Sequence, residues 1–133
     1  MQADHLFTKI KDWLLDFNFE ILHENQLHNT FVISKETEGV KNMILVIAPQ
    51  ILIVEQFLFR CKKNETEVYK ELLIKNRDIV HGAFVLDENG EKVIFRDTLQ
   101  TENLDQNELI ATINSLSLLL SEYSTDMIRF SKL

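Results

Sequence analysis

The stretch from Asn76 to Leu99, NRDIVHGAFVLDENGEKVIFRDTL, constrains the fold more than any other part of the chain. Ala83 to Leu86 and Lys92 to Phe95 are short runs rich in β-branched and aromatic residues. Between them lies Asp87-Glu88-Asn89-Gly90-Glu91, whose Asn-Gly pair tolerates the positive φ that a tight hairpin turn demands. The stretch therefore predicts a helix ending near Asn76, two strands paired across a turn, and a long helix launched beyond Leu99.

Upstream, Leu6, Ile10, Trp13, Leu14 and Phe17 recur at helical spacing, opposite Lys9, Lys11, Asp12 and Asp16. With Asp4 placed as a cap, a first helix is predicted over roughly His5 to Asp16. Phe19 and Ile21, then Phe31 and Ile33, alternate with polar neighbours across a turn at Asn25 to His28, the period of a half-buried antiparallel pair. Glu36-Thr37-Glu38-Gly39 ends the second strand. Met43 to Ile47 and Ile51 to Val54 are continuous apolar runs in which β-branched residues dominate, and Pro49 cannot donate to a strand ladder. They read as two strands joined at Pro49-Gln50, with a single strand bent at Pro49 as the competing arrangement. Such continuous hydrophobicity implies cover on both faces, by helices on one and by a second subunit on the other.

A second helix is predicted from Asn64-Glu65-Thr66-Glu67, with Asn64 as cap, Glu67 reaching back, and Val68, Tyr69, Leu72 and Leu73 as a narrow apolar face; it fades by Asn76 to Asp78. Asp105-Gln106-Asn107-Glu108 is another capping pattern, and the last helix follows to about Phe130. Leu109, Ile113, Leu116, Leu120, Tyr123, Met127 and Phe130 form a heptad-like seam along it. About 25 helical residues span roughly 38 Å, longer than a small sheet is wide. Either the seam packs on the chain's own sheet, or its outer turns, with Leu119 and Ile128 beside it, meet another subunit or a client. The fold class expected is α+β, an antiparallel sheet built from a strand meander plus a hairpin with helices packed on it, in the order α-β-β-β-β-α-β-β-α. It is expected to form one domain over residues 1–133.

Composition excludes several classes of function. At 133 residues, 45% hydrophobic and with nine Phe, the chain can bury a true core. A net charge of −7 repels a phosphate backbone and favours cationic partners, so no nucleic-acid partner is expected; Arg60-Cys61-Lys62-Lys63 is a short solvated loop rather than a binding stripe. No apolar run approaches the roughly 20 residues of a membrane helix. The N-terminus lacks the pattern of a signal peptide, and Cys61 is the only cysteine, which fits a reducing compartment. A soluble, cytoplasmic protein with no membrane partner is expected.

No catalytic pattern stands out. His5, His23, His28 and His81 do not form i, i+4 pairs, although His23 and His28 flank one predicted turn. Three glycines at 39, 82 and 90 build no phosphate loop, and the residues of Asp87 to Glu91 are all used by the turn rather than by a calcium loop. Cys61 beside Lys62 could have a depressed pKa, but it lacks a neighbouring His or helix N-terminus. No catalytic residue, metal site or cofactor is expected. A ligand pocket between the first helix and the sheet, lined by Trp13, Phe17 and Phe31, is the alternative to a protein-binding surface.

The run Leu72-x-x-x-Asn76, Gly82-x-Phe84-x-Leu86-Asp87-x-x-Gly90, Val93-x-Phe95-Arg96-x-x-Leu99, Leu104 and Glu108-Leu109 resembles the second half of the YbjN-like family, bacterial proteins described as candidate sensory transduction regulators. That family shares its fold with the type III secretion chaperones. The resemblance implies a non-enzymatic protein, commonly dimeric, that acts through protein contacts, with Gly82, Phe84, Leu86, Asp87, Gly90 and Arg96 in structural roles. A homodimer with a protein partner or client is therefore expected, binding as a chaperone or adaptor; a ligand-sensing regulatory domain is the alternative. The surface expected to carry such contacts comprises Ile51 and Ile53 on the sheet and Leu116, Leu119, Tyr123, Met127 and Ile128 on the last helix.

Overall fold

The computed structural model describes residues 2–133, with side chains from His5 onward. Three helices, α1 (Gln2–Asp16), α2 (Thr66–Lys75) and α3 (Gln106–Ser131), accompany six strands. The strands are β1 (Glu20–Asn25), β2 (Thr30–Lys35), β3 (Val40–Ala48), β4 (Ile51–Arg60), β5 (Ala83–Leu86) and β6 (Lys92–Gln100). They form one antiparallel sheet in the order β1-β2-β3-β4-β6-β5. The α-β-β-β-β-α-β-β-α sequence is the one the residue patterns predict. β6 runs five residues beyond the predicted Phe95, because its whole length pairs with β4, from Ile51–Gln100 to Arg60–Lys92, while β5 pairs only with its first half, from Leu86–Val93 to Ala83–Arg96. Among the described residues no helix is long and apolar enough to cross a membrane.

The two apolar runs around Pro49 are two strands, not one bent strand. Ala48 pairs with Ile51, so Pro49-Gln50 is a two-residue turn, and Gln50 takes a φ of 69° where the turn requires the left-handed region. In the β5–β6 loop only Gly90 carries positive φ, at 71°; Asn89 does not share it. The Asp87 amide donates to the Lys92 carbonyl and the Gly90 amide to the Asp87 carbonyl, both at 3.1 Å. The Asp87 carboxylate then accepts from the amides of Glu91 and Lys92, each at 2.9 Å. The Tyr69 hydroxyl donates to the Gly90 carbonyl at 2.6 Å, and a Cβ on Gly90 would stand 2.9 Å from that oxygen. Glycine at 90 is thus required by φ and by contact together.

Two predicted caps fall elsewhere. Asn64 does not cap α2; it adopts φ 61°, and its amide donates to the Tyr69 hydroxyl at 2.9 Å, while Glu65 stands at the cap position without a side-chain bond. A short polar side chain that tolerates the left-handed region serves the turn better than the cap. Asp4 lies inside α1, which starts at Gln2 rather than His5, and its side chain falls outside the described residues. At α3 the expected cap is present, with Asp105 Oδ1 accepting from the Glu108 amide at 2.8 Å.

All three helices contribute buried residues to one core formed with the inward face of the sheet. β3 and β4 alternate strictly over most of their length, burying Met43, Leu45, Ile47, Leu52 and Val54 while Ile44, Val46, Ile51 and Ile53 point the other way. From α1, Phe7 stacks on Phe31 with ring centroids 4.3 Å apart, and Ile10 and Leu14 are fully buried. α3 packs across β3, β4 and β6, with Leu109, Ile113, Leu116 and Phe130 fully buried. Thr112 is buried beside them and donates its hydroxyl to Asp97 Oδ2 at 2.8 Å. On α2, Val68 and Leu72 face the core, but Leu73 is turned out, because one turn of helix cannot aim both adjacent leucines inward. The outer edge of the short β5 is closed by Asn76, whose side chain donates to the Phe84 carbonyl at 3.1 Å and accepts from its amide at 2.8 Å.

Two consequences are measurable. Leu116→Ala should cost about 2–5 kcal/mol by urea denaturation, since it empties a fully enclosed site, whereas Ile128→Ala on the same helix should stay within about 0.5 kcal/mol. The Asp87 carboxyl is held below the ordinary carboxylate value, chiefly by the Lys92 amide bond and further by that of Glu91. A depressed folded pKa contributes stability above the unfolded value that is lost as pH falls through the folded one. Asp87→Ala should therefore lower Tm at neutral pH, and its gap from wild type should narrow in thermal melts taken from about pH 4 downward.

Candidate protein-binding surface

The helices cover one face of the sheet and leave the other open. Register aligns His23, Val32, Ile44, Glu55, Arg96 and Ala83 in one row across all six strands on that open face. Thr30, Val46, Ile53 and Thr98 form the adjacent row. On the other side of the Glu55 row, Phe57, Ile94 and Val85 line up. Phe57 is 52% exposed and Ile44 43%, while Ile51, Ile53, Val46 and Ile94 are half-buried by their neighbours. Glu55 and Arg96 form an ion pair in the middle of this apolar field. Opposite charges directly across a strand pair satisfy one another and leave the surrounding surface apolar without a free charge.

The seven residues expected to carry contacts do not share one surface. Ile51 and Ile53 stand on the open face, where they join Val46, Ile44, Phe57 and Ile94. Leu116 and Leu119 are turned into the core, at 0% and 2% exposure. Tyr123 and Met127 are partly buried against the same core, with the Tyr123 ring 6.0 Å from that of Phe84. Ile128 is exposed on the far side of α3. Ile44, Phe57 and Ile94 share that face outside the expected set, since the period of two that selects Ile51 and Ile53 runs on to Phe57 and, across the ladder, to Ile94. Leu118 and Val80, exposed at 69% and 85%, were also missed; Leu118 is a leucine two residues off the buried seam, and Val80 is an isolated apolar residue in a connection.

Among the described residues no group of three or more His, Cys, Asp or Glu is placed to hold a metal ion. Cys61 is buried and its thiol pKa is raised, first by burial and next by Asp87, the opposite of the depression that Lys62 would supply. Its sulfur lies 3.7 Å from the Gly90 carbonyl and packs as a small apolar group. Trp13, Phe17 and Phe31 do not converge on a pocket: Phe31 is fully buried under Phe7, Phe17 is exposed at the end of α1, and Lys9 lies over the Trp13 ring at 5.7 Å.

The α2–α3 corner is held by charge. Arg129 reaches Glu71 at 3.1 Å and Asp126 at 3.2 Å, and Lys75 reaches Asp126 at 3.3 Å. The Asp126 carboxyl is lowered below its usual value, first by its bond to Arg129 and then, against the effect of burial, by Lys75. Arg129 is raised in turn by Glu71 first and Asp126 second. A network of this kind orients two helices more than it stabilises them, because most of its members remain partly in contact with solvent.

Solved structures share this architecture. YbjN from E. coli, described as a candidate transcription regulator, superposes with a TM-score of 0.67 at 11% identity, over 88% of this chain and 90% of that one. A chain of the HopA1–SchA chaperone–effector complex superposes with a TM-score of 0.61 at 14% identity, over 96% of this chain and 95% of that one. At such identities the likeness is one of fold. No curated protein matches the sequence. Residues 3–133, nearly the whole chain, match the model of CesT_Tir_1, a type III chaperone family, and the protein belongs to that family.

Proposed function

We propose that the chain is a non-enzymatic protein-binding module, a chaperone or adaptor that holds a segment of a partner protein on the open face of its sheet. The observation that carries this is the apolar field of Ile44, Val46, Ile51, Ile53, Phe57 and Ile94, over which no helix among the described residues packs. Membership of a type III chaperone family supports it, and so does the fold shared with a chain of a chaperone–effector complex. In this proposal Leu116 and Leu119 support α3 from within, and contacts on the helix side fall to Ile128 and the exposed edges of Tyr123 and Met127. The protein works in the cytoplasm as a homodimer of a single-domain chain, its one thiol buried and outside any disulfide.

Ile53→Asp and Phe57→Asp place a charge on the open face without entering the core. Each should keep the far-ultraviolet circular dichroism spectrum of wild type and lose a partner that wild type captures from the source cell, once that partner is identified and purified. Undiminished binding of the purified partner by both variants would overturn the assignment. Light scattering should give twice the 15.6 kDa chain mass, and a strict monomer would remove the homodimer from it.

A further inference from the structure

A second unpartnered surface lies on the helix side of the molecule, away from the open face. Residues 78–81 run beside the outer side of α3 and enclose with it a groove of about 330 Å³. Its floor and walls include Ile79, Leu118, Leu119 and Val80, of which Val80 and Leu118 are exposed at 85% and 69%. The groove follows α3 from Ala111 to Tyr123, which at 1.5 Å per residue is about 18 Å, or three helical turns.

It is held in shape by the fold itself. The Ser115 hydroxyl on α3 donates to the His81 carbonyl at 2.6 Å, tying the connection to the helix. Gly82 follows with φ of 85°, and a Cβ there would lie 2.6 Å from the Phe95 ring, so the chain passes as close to the sheet as glycine allows. The charge lining is one-sided. Asp78 and Glu122 stand in its wall, and no Lys or Arg is among the described residues lining it. The Tyr123 hydroxyl at its end is raised in pKa first by burial and then by Glu122, Asp78 and Asp126, which reports the same negative field. Lys75 lies over the Tyr123 ring at 5.3 Å and is already paired with Asp126.

We propose that this groove docks a cationic amphipathic helix of a partner protein, its apolar side chains seated on Val80 and Leu118 and its Lys or Arg residues meeting Asp78 and Glu122. The charge complement selects the occupant: an apolar trough with two carboxylates and no cation in its wall favours apolar anchors flanked by basic residues. This deepens the protein-binding reading and rests on it, but it places the contact on the opposite side of the sheet from the open face.

The probe is a fluorescein-labelled helical peptide of about 18 residues with Leu at helical i, i+3 and i+4 spacing and Lys elsewhere, compared by anisotropy with its Leu/Glu counterpart. Wild type should bind the Lys peptide in preference, and less tightly in about 0.5 M salt. Leu118→Glu should weaken that binding about tenfold or more, and the Asp78→Lys/Glu122→Lys pair should reverse the preference toward the Glu peptide. Both sets of substitutions lie on the surface, so circular dichroism and Tm should remain those of wild type. Ile53→Asp should leave the peptide affinity unchanged. If Ile53→Asp abolishes binding and Leu118→Glu does not, the groove is excluded while a protein-binding open face stands. If Leu118→Glu instead converts a dimer to monomers by light scattering, the groove is occupied by a second copy and the proposal is overturned. Equal binding of the two peptides by wild type overturns it as well.

Discussion

Everything in this molecule depends on covering one face of a six-stranded sheet with helices, the longest of them α3. α3 carries 26 residues, and its seam from Leu109 to Phe130 closes the inward side chains of β3, β4 and β6. Deep in that contact the Thr112 hydroxyl meets Asp97, which directs one polar group of the central ladder into the helix and fixes the height at which α3 crosses. Such a part-buried pair stabilises little by itself, but leaving the buried Thr112 hydroxyl unpaired would cost about 1–3 kcal/mol, which disfavours any slip of the helix along the sheet. Because α1 and α2 join the same side, the opposite face keeps its apolar residues with no cover from a helix among the described residues.

The hairpin stretch has a different role from the one a list of its residues suggests. Gly82, Asp87 and Gly90 look like the makings of a binding loop, yet these residues, and Asn76 upstream, are consumed by geometry. Asp87 ties the loop through two amides, Gly90 admits the Tyr69 hydroxyl, and Asn76 closes the edge of β5. Together they bind α2 to the far edge of the sheet and thereby set the path of residues 78–82 beside α3. The open face and the groove are both by-products of this framework: rigid surfaces that the fold shapes and does not use for itself.

Much of the architecture was legible because each element announces itself locally. The seam of α3 and its Asp105 cap, the β-branched runs on either side of Pro49 and the Asn-Gly hairpin each follow from one period or one turn chemistry. What failed to read correctly were positions with two competing local uses. Asn64 can cap a helix or take the left-handed region, and its bond to Tyr69, five residues on, decides for the second. Leu73 and Leu72 are adjacent apolar residues on a short helix, and only packing distinguishes the one that is buried. The candidate contact residues divided for the same reason. Leu116 and Leu119 are as apolar as Leu118, but burial depends on the angular position of each around a helix whose rotation is set by the sheet beneath it.

The sequence by itself determined the order of elements, the place of the hairpin turn, the helix that caps at Asp105 and the acidic balance, since these depend on dihedral preference, periodicity and charge, which neighbours in the chain are enough to specify. Only the tertiary structure decided the insertion of β6 between β4 and β5, the side of the sheet that the helices take, and therefore which apolar residues remain outside. These outcomes depend on pairing between segments tens of residues apart, through ladder bonds and packed volumes that no local pattern encodes.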